Sequence, residues 1–201
     1  EGHNLAQLLV GSEGTLAYFQ KIKLPLQSIP LHHVLGICLF PTLRSAMEIV
    51  PGIVKLDASA VELVDRTMID LANENPVFRP AIDQFLKGNP AAILLVEFSG
   101  DEEQPLLEKL THLHELLRDL NSSVEIIDAL DPGFQAEVWE VRKSGLNILM
   151  AMRGDGKPVS FIEDCAVPLE HLADYTDRLN EEFNRHGVQG TWYAHASVGT
   201  L

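Results

Sequence analysis

Short apolar runs alternate with longer amphipathic segments along most of the chain, and this alternation limits the fold to mixed helix-and-strand architectures. Strands are predicted at 16–26, 34–40, 60–64, 91–98, 124–127, 159–167 and 188–195. Helices are predicted at 5–10, 41–50, 68–73, 77–86, 106–120, 134–152 and 168–183, with a turn at 153–158. Several helices return the chain to one sheet, as in paired βαβ units. The pattern therefore predicts an α+β fold, a ferredoxin-like antiparallel sheet covered by helices.

The charge balance excludes one broad class of partner. The 201 residues include 29 acidic and 15 basic side chains, so the formal net charge is −14. A field of this sign repels phosphate backbones and anionic lipid surfaces. The sequence therefore argues against a nucleic-acid-binding protein.

The positions of the cysteines and the lack of a long apolar run favour a location inside the cell. Cys38 and Cys165 lie far apart and outside any CxxC motif, which indicates reducing conditions and no self-contained thiolate metal site. No run approaches the roughly 20 apolar residues of a membrane span, and no signal peptide is expected. A cytoplasmic location is predicted.

Two glycines frame a short loop between the first predicted helix and the first predicted strand. Gly11 and Gly14 would let backbone N–H groups approach a phosphate or a ring carbonyl, with the hydroxyls of Ser12 and Thr15 beside them. The loop lacks the lysine of a P-loop and the third glycine of a dinucleotide fingerprint. A plain helix-to-strand turn is the alternative.

Arg142 flanks the apolar face of its predicted helix, one turn after Val138, so it is placed to point into a cleft. A guanidinium there suits a carboxylate ligand, because its fork donates two parallel hydrogen bonds. The alternative is a surface ion pair with Glu137 or Glu140.

Adjacent acids and a late histidine are further candidates. Glu163 and Asp164 interrupt the apolar run at 159–167, where neighbouring side chains point to opposite faces of a strand. One of them is expected to face the core or a site, and an edge strand with both acids in water is the alternative. His195 is a candidate metal ligand or, alternatively, a structural histidine.

Five segments stand out in order along the chain: 10–16 (VGSEGTL), 61–65 (VELVD), 138–143 (VWEVRK), 162–168 (IEDCAVP) and 193–195 (YAH). Together they resemble the flavin-linked oxidases of vanillyl-alcohol oxidase type, in the branch of the glycolate oxidase D-subunit, D-lactate dehydrogenase and D-2-hydroxyglutarate dehydrogenase. The resemblance implies that residues 1–26 are the tail of an FAD-binding domain. Residues 27–201 would form a truncated C-terminal substrate, or cap, domain of a longer protein.

The resemblance implies FAD as the cofactor. In that family the Gly-Ser-Glu-Gly-Thr loop contacts the flavin, which makes Gly11, Ser12, Gly14 and Thr15 the expected cofactor-binding residues. Most of the FAD site would lie outside this chain.

The resemblance also implies a substrate and a reaction. The arginine of the family's Trp-x-x-Arg helix binds the substrate carboxylate, and Arg142 matches it. His195 matches the first of two histidines that bind a divalent metal, such as Zn, Mn or Fe. The implied reaction is oxidation of a D-2-hydroxy acid (D-lactate, glycolate or D-2-hydroxyglutarate type) to the 2-oxo acid, with hydride transfer from C2 to the flavin.

The chain departs from the family pattern at three places. After His195 it has ASVGT where much of the family has AGDGN, a variant that resembles long forms with a downstream iron–sulfur domain. Leu146 and Ile162 stand where some members have a threonine and a lysine. The particular hydroxy acid and the electron acceptor are therefore not defined.

Two alternatives stand beside the oxidoreductase. One is a non-catalytic ferredoxin-like module that binds a small anion or a protein partner, with Arg142 paired to a neighbouring carboxylate. The other concerns the chain alone, which would form a homodimer through the apolar surface that an FAD-binding domain normally covers.

Overall fold

The computed structural model describes residues 4–119, 124–152, 158–159 and 162–201. Its strands are β1 (His32–Phe40), β2 (Ala60–Asp65), β3 (Ala92–Gly100), β4 (Glu125–Ala129) and β5 (Tyr193–His195). Its helices are α1 (Ala6–Leu9), α2 (Leu43–Val54), α3 (Arg66–Glu74), α4 (Arg79–Phe85), α5 (Glu103–Asp119), α6 (Pro132–Lys143), α7 (Gly145–Met150) and α8 (Leu172–Arg185). Short 3-10 turns cover Leu169–His171 and Ala196–Val198.

The described strands form one antiparallel sheet in the order β4-β1-β3-β2-β5. The first four strands have the order of a ferredoxin-like fold, and β5 adds an edge strand beside β2. Strands β1 and β3 pair along their whole length, from His32 opposite Gly100 to Phe40 opposite Ala92. The predicted α+β fold with a ferredoxin-like antiparallel sheet is confirmed.

Helices cover both faces of the sheet, which explains why most side chains on both faces of the central strands are apolar. Helices α2, α5 and α8 pack on one face, which we name the first core. Helices α3, α4, α6 and α7 pack on the other face, the second core. In β1, Val34 and Cys38 lie in the first core, whereas Leu35 and Ile37 lie in the second. Strand parity thus assigns each side chain to one core.

The strand predicted at 16–26 is wrong. Residues 16–31 contain no strand, and the side chains of Leu16, Ile22 and Leu24 are 62%, 64% and 71% exposed. An alternating pattern forms a strand only where a neighbour satisfies its N–H and C=O groups. Within the described residues no strand pairs with this segment.

The strand predicted at 159–167 is also wrong for its described part. That part holds only an isolated bridge between Ala166 and Thr200. Residues 160–161, and residues 153–157 of the predicted turn, lie outside the described residues.

Two helix boundaries differ from the prediction. The helix predicted at 134–152 is divided at Ser144 into α6 and α7. The helix predicted to end at residue 50 continues through Pro51 to Val54. Proline forfeits one helical hydrogen bond there, but Ile53, beyond it, is fully buried in the first core and holds the last turn in place.

Asp65 ends β2 and connects it to two other elements. Its carboxylate accepts a hydrogen bond from the N–H of Met68 (2.9 Å), which caps α3. It also accepts bonds from the N–H of Trp192 (2.8 Å) and the hydroxyl of Thr191 (3.0 Å). Burial raises the pKa of the Asp65 carboxyl, and these bonds oppose that shift. Because Trp192 bonds to Asp65, the strand predicted at 188–195 begins only at Tyr193.

We expect Asp65→Ala to lower the free energy of unfolding by about 2–3 kcal/mol, because it removes a helix cap and leaves buried donors unpaired. Thr191→Val keeps the shape of its side chain and removes one hydroxyl, so a loss of about 1 kcal/mol is expected. Chemical denaturation of both variants measures the difference. Equal losses would contradict the connecting role of Asp65.

Candidate functional site

Local signals in the sequence place Arg142 on α6 at the margin of the second core. Asp131 caps the helix by accepting a hydrogen bond from the N–H of Phe134 (2.8 Å), and Pro132 occupies its first turn. Val141 is buried in the second core, so the next side chain lies at the edge of that core. The side chain of Arg142 is 16% exposed.

Two contacts one turn apart join α6 to the sheet. Trp139 Nε1 donates a hydrogen bond to Glu97 Oε2 on β3 (3.0 Å), and Glu97 also lies 3.4 Å from His33 Nδ1. Arg142 Nη2 donates to Glu62 Oε2 on β2 (2.8 Å). The two acids share the face of the second core, because Glu62 stands opposite Leu95, two residues from Glu97. Helix α6 is therefore docked on two carboxylates.

Glu62 is a nearly buried carboxylate with both oxygens in contact with a partner. Oε2 accepts the bond from Arg142, and Oε1 lies 2.7 Å from Nδ1 of His195, its direct neighbour across the β2–β5 pair. The Glu62 side chain is 11% exposed. A buried carboxylate is unfavourable unless it is paired, and here Arg142 supplies the opposite charge and His195 a second hydrogen bond.

One donor of the Arg142 guanidinium is unpaired among the described residues. Its Nε is buried and, within the described part of the chain, has no hydrogen-bond partner. The guanidinium carbon lies 5.5 Å from the centroid of the Tyr193 ring, so the aromatic face supports it. The Tyr193 hydroxyl donates to Glu163 Oε2 (3.3 Å). Burial, with a contribution from the Glu163 carboxylate, raises the pKa of the Tyr193 phenol.

A cavity of about 230 Å³ opens beside the guanidinium. It lies where α6 and α7 meet β2, α3 and β5, and it combines apolar walls with two basic side chains. The lining residues are Leu63, Val64, Met68, Arg142, Lys143, Gly145, Leu146 and Tyr193. A small organic anion would find an apolar wall for its carbon atoms and a guanidinium for its carboxylate.

His195 presents one ring nitrogen to Glu62 and keeps the other, Nε2, for a different partner. Its side chain is 63% exposed. Among the described residues no group of three or more His, Cys, Asp and Glu side chains is arranged to hold a metal ion. The described part therefore supplies one candidate ligand and no complete metal site, and the assignment of His195 to a metal stays a prediction.

The loop at 11–15 turns at two glycines in the left-handed region of backbone conformation. Gly11 and Gly14 both have φ of +77°, and a Cβ on either would meet nothing within 4 Å. The Thr15 hydroxyl donates to the carbonyl oxygen of Ser12 (2.6 Å), whereas the Ser12 hydroxyl is buried and, within the described residues, has no hydrogen-bond partner. None of these residues lines the cavity beside Arg142.

The structure decides between the alternatives for the acids. Arg142 pairs with neither Glu137 nor Glu140 but with Glu62, so the predicted surface pair is wrong. Glu163 and Asp164 are both exposed, so neither faces the core. Glu163 instead accepts a hydrogen bond (3.3 Å) from Tyr193, which lines the cavity. Both lie in an irregular segment, where strand parity does not apply.

Glu62 is the residue that the sequence reasoning missed. It stands within the apolar strand AVELV, between Val61 and Leu63, which are fully buried. A carboxylate with such neighbours is forced toward the opposite core and needs a cation there. That signal would have identified Glu62 as a site residue, although not its partners.

Comparison with known proteins gives a family and several relatives. The family model for the C-terminal domain of FAD linked oxidases matches residues 29–201. A D-2-hydroxyglutarate dehydrogenase of Haemophilus influenzae is 29% identical over 98% of this chain, and one of Pantoea ananatis is 31% identical over 98%. A mitochondrial D-lactate dehydrogenase (cytochrome) of Arabidopsis thaliana is 30% identical over the whole chain.

The chain spans only part of these relatives. It covers 20% of the length of each of the two bacterial proteins and 34% of the plant protein. Among solved structures, an alkyldihydroxyacetonephosphate synthase is similar with a TM-score of 0.53 and 15% identity, over 74% of this chain and 29% of that one. This likeness supports the fold.

Proposed function

Since this chain belongs to the FAD-linked oxidases, as their C-terminal domain, we propose that it is the substrate domain of an enzyme that oxidises a D-2-hydroxy acid to the 2-oxo acid. The domain would comprise residues 27–201, and residues 1–26 would be the tail of the FAD-binding domain. The start of the family match at residue 29 supports this boundary.

The observation that carries the proposal is the position of the Arg142 guanidinium beside the cavity, with Glu62 bound to only one of its nitrogen atoms. The side chain is held on one side by Glu62 and on its face by Tyr193, while Nε has no partner within the described residues. A substrate carboxylate in the cavity would accept the bonds that remain. Arg142 would thereby hold the hydroxy acid in one orientation, and such positioning lowers the barrier to the reaction.

Four loop residues fit the flavin. The orphaned hydroxyl of Ser12, the open backbone at Gly11 and Gly14, and the hydroxyl of Thr15 would hold part of FAD. When bound, FAD supplies the acceptor for the hydride that leaves C2 of the substrate. The apolar walls of the cavity exclude water from the substrate carbon atoms.

The finer assignments remain predictions. They are a divalent metal on His195, an iron–sulfur cluster in a downstream domain, a homodimer of the chain and a cytoplasmic location with peripheral membrane association of the parent protein. No described helix has the length and apolarity needed to cross a bilayer. No step of the proposed reaction depends on the metal.

The non-catalytic alternative has one observation in its favour. It predicts Arg142 paired with a neighbouring carboxylate, and Glu62 is such a partner. The relatives, which are dehydrogenases by name, favour the oxidoreductase over this alternative.

The visible absorption spectrum of the full-length parent protein tests the proposal. We expect a yellow protein whose flavin absorbance is bleached anaerobically by at least one of D-lactate, glycolate and D-2-hydroxyglutarate. The L-enantiomers of lactate and 2-hydroxyglutarate serve as controls and should leave the spectrum unchanged. A colourless protein that does not take up added FAD, or a flavin that no hydroxy acid reduces, would refute the proposal.

A further inference from the structure

We infer that Glu62 is a positioning residue, which holds the guanidinium of Arg142 in the orientation that binds a ligand carboxylate. The inference rests on the proposed role of Arg142. It gives Glu62 a part in binding although the Glu62 side chain does not itself line the cavity.

The geometry anchors Glu62 from both sides. Its backbone lies between Val61 and Leu63, which are both fully buried in the first core. Its Oε1 is held by His195 Nδ1 at 2.7 Å, so the carboxylate plane cannot turn freely. The remaining oxygen, Oε2, therefore meets Arg142 Nη2 at 2.8 Å from a fixed direction. A guanidinium is planar, and one directed bond together with the Tyr193 ring face fixes the plane of its remaining donors.

Packing alone does not account for an acid at this position. Buried ion pairs are often replaced by apolar side chains of similar volume without loss of stability. Leu95, the neighbour of Glu62 across the β2–β3 pair, and Val64, two residues along β2, are both apolar and buried in the second core. A methionine would suit such surroundings. The ion pair of Glu62 with Arg142 is therefore better explained by the orientation that it gives the guanidinium than by a contribution to the stability of the second core.

Glu97 provides a matched control within the same helix–sheet contact. It also accepts a hydrogen bond from α6, from Trp139 one turn before Arg142, and its side chain is likewise mostly buried at 18% exposure. If a substitution acted only by weakening the packing of α6 on the sheet, changes at Glu62 and at Glu97 would have the same effect. Only a change at Glu62 removes the negative charge that faces Arg142 and weakens their bond.

The experiment compares Glu62→Gln and Glu97→Gln in the full-length parent protein. Pyruvate and 2-oxoglutarate are the probes, because they carry the carboxylate of the product and no hydroxyl to oxidise. Their Kd values follow from the rise of Tm with probe concentration. We expect Glu62→Gln to raise the Kd of the tighter probe at least tenfold and Glu97→Gln to leave it within about twofold, since a misaligned charged bond loses about 1.4 kcal/mol or more.

Kinetics with the hydroxy acid that bleaches the flavin give the second readout. We expect Glu62→Gln to raise KM more than it lowers kcat, and Glu62→Asp, which restores the charge, to recover part of the binding. Equal Kd changes in both glutamine variants, or tighter binding to Glu62→Gln through relief of competition for Arg142, would overturn the inference. Failure of the wild-type protein to bind either probe would overturn it as well.

The outcomes separate the two proposals. A wild-type protein that binds a 2-oxo acid through Glu62 and Arg142, but whose flavin is reduced by no D-2-hydroxy acid, would refute the proposed function and leave the role of Glu62 standing. A protein that oxidises a D-2-hydroxy acid, with Glu62→Gln equal to Glu97→Gln, would do the reverse.

Discussion

Replacement of Arg142 by alanine is expected to lower kcat/KM of the full-length enzyme for its D-2-hydroxy acid by roughly 100- to 1000-fold. The variant removes the charged donor from the cavity and leaves the Glu62 carboxylate beside it without a counter-charge. The pair that matters for the rate is the one between Arg142 and the substrate carboxylate. Loss of one member of such a hydrogen-bonded charge pair costs about 3–4 kcal/mol, and each 1.4 kcal/mol corresponds to about a tenfold change in rate. Steady-state kinetics with the acid that bleaches the flavin measure the effect.

Arg142→Lys is the control that keeps the positive charge and removes the planar guanidinium group. Lysine keeps the positive charge opposite Glu62 but cannot donate two parallel hydrogen bonds, so a loss of about tenfold in kcat/KM is expected. Unfolding of both variants should be followed in parallel, because Arg142 also joins α6 to β2. An unchanged catalytic efficiency in a folded Arg142→Ala protein would show that the substrate carboxylate binds elsewhere.

Gly199→Ala is expected to be the most damaging small substitution in the segment after β5. Gly199 has φ of +71°, a conformation that L-residues avoid, and an added Cβ would overlap the carbonyl oxygen of Val167. The same glycine accepts a hydrogen bond from the N–H of Val167 (2.8 Å), and Cys165 and Leu201 bond to each other beside it. We expect a loss of about 3 kcal/mol, as backbone strain and overlap with a main-chain atom combine.

Gly187→Ala separates the two causes. Gly187 has φ of +65°, nearly the same as Gly199, but a Cβ there would meet nothing within 4 Å. Only the backbone strain applies, so a loss of about 1 kcal/mol is expected. Chemical or thermal unfolding of the two variants gives the comparison. Equal losses would mean that the overlap between the added Cβ at Gly199 and the carbonyl oxygen of Val167 costs no stability.

The pattern of apolar residues predicted most of the described elements, because the buried face of a helix or strand is visible as regularly spaced apolar residues along the chain. The continuous run at 34–40 became the main part of β1, and Leu106, Leu110, Leu113 and Leu117 became the buried face of α5. Patterning failed where an element needs a distant partner. The alternation at 16–26 has no partner strand among the described residues, and the start of β5 is set by the bond between Asp65 and Trp192, 127 residues apart.

The sequence by itself determined the fold class, the candidate Arg142 and, through motifs, the family; the tertiary structure alone decided how the site is assembled. Side-chain type and helical position are local properties, so Arg142 could be chosen from its own neighbours along the chain. Its partner could not, because Glu62 is 80 residues from Arg142 and 133 residues from His195. Those three side chains meet only when antiparallel pairing places β5 beside β2 and the second core holds α6 above them, and no local pattern encodes that register.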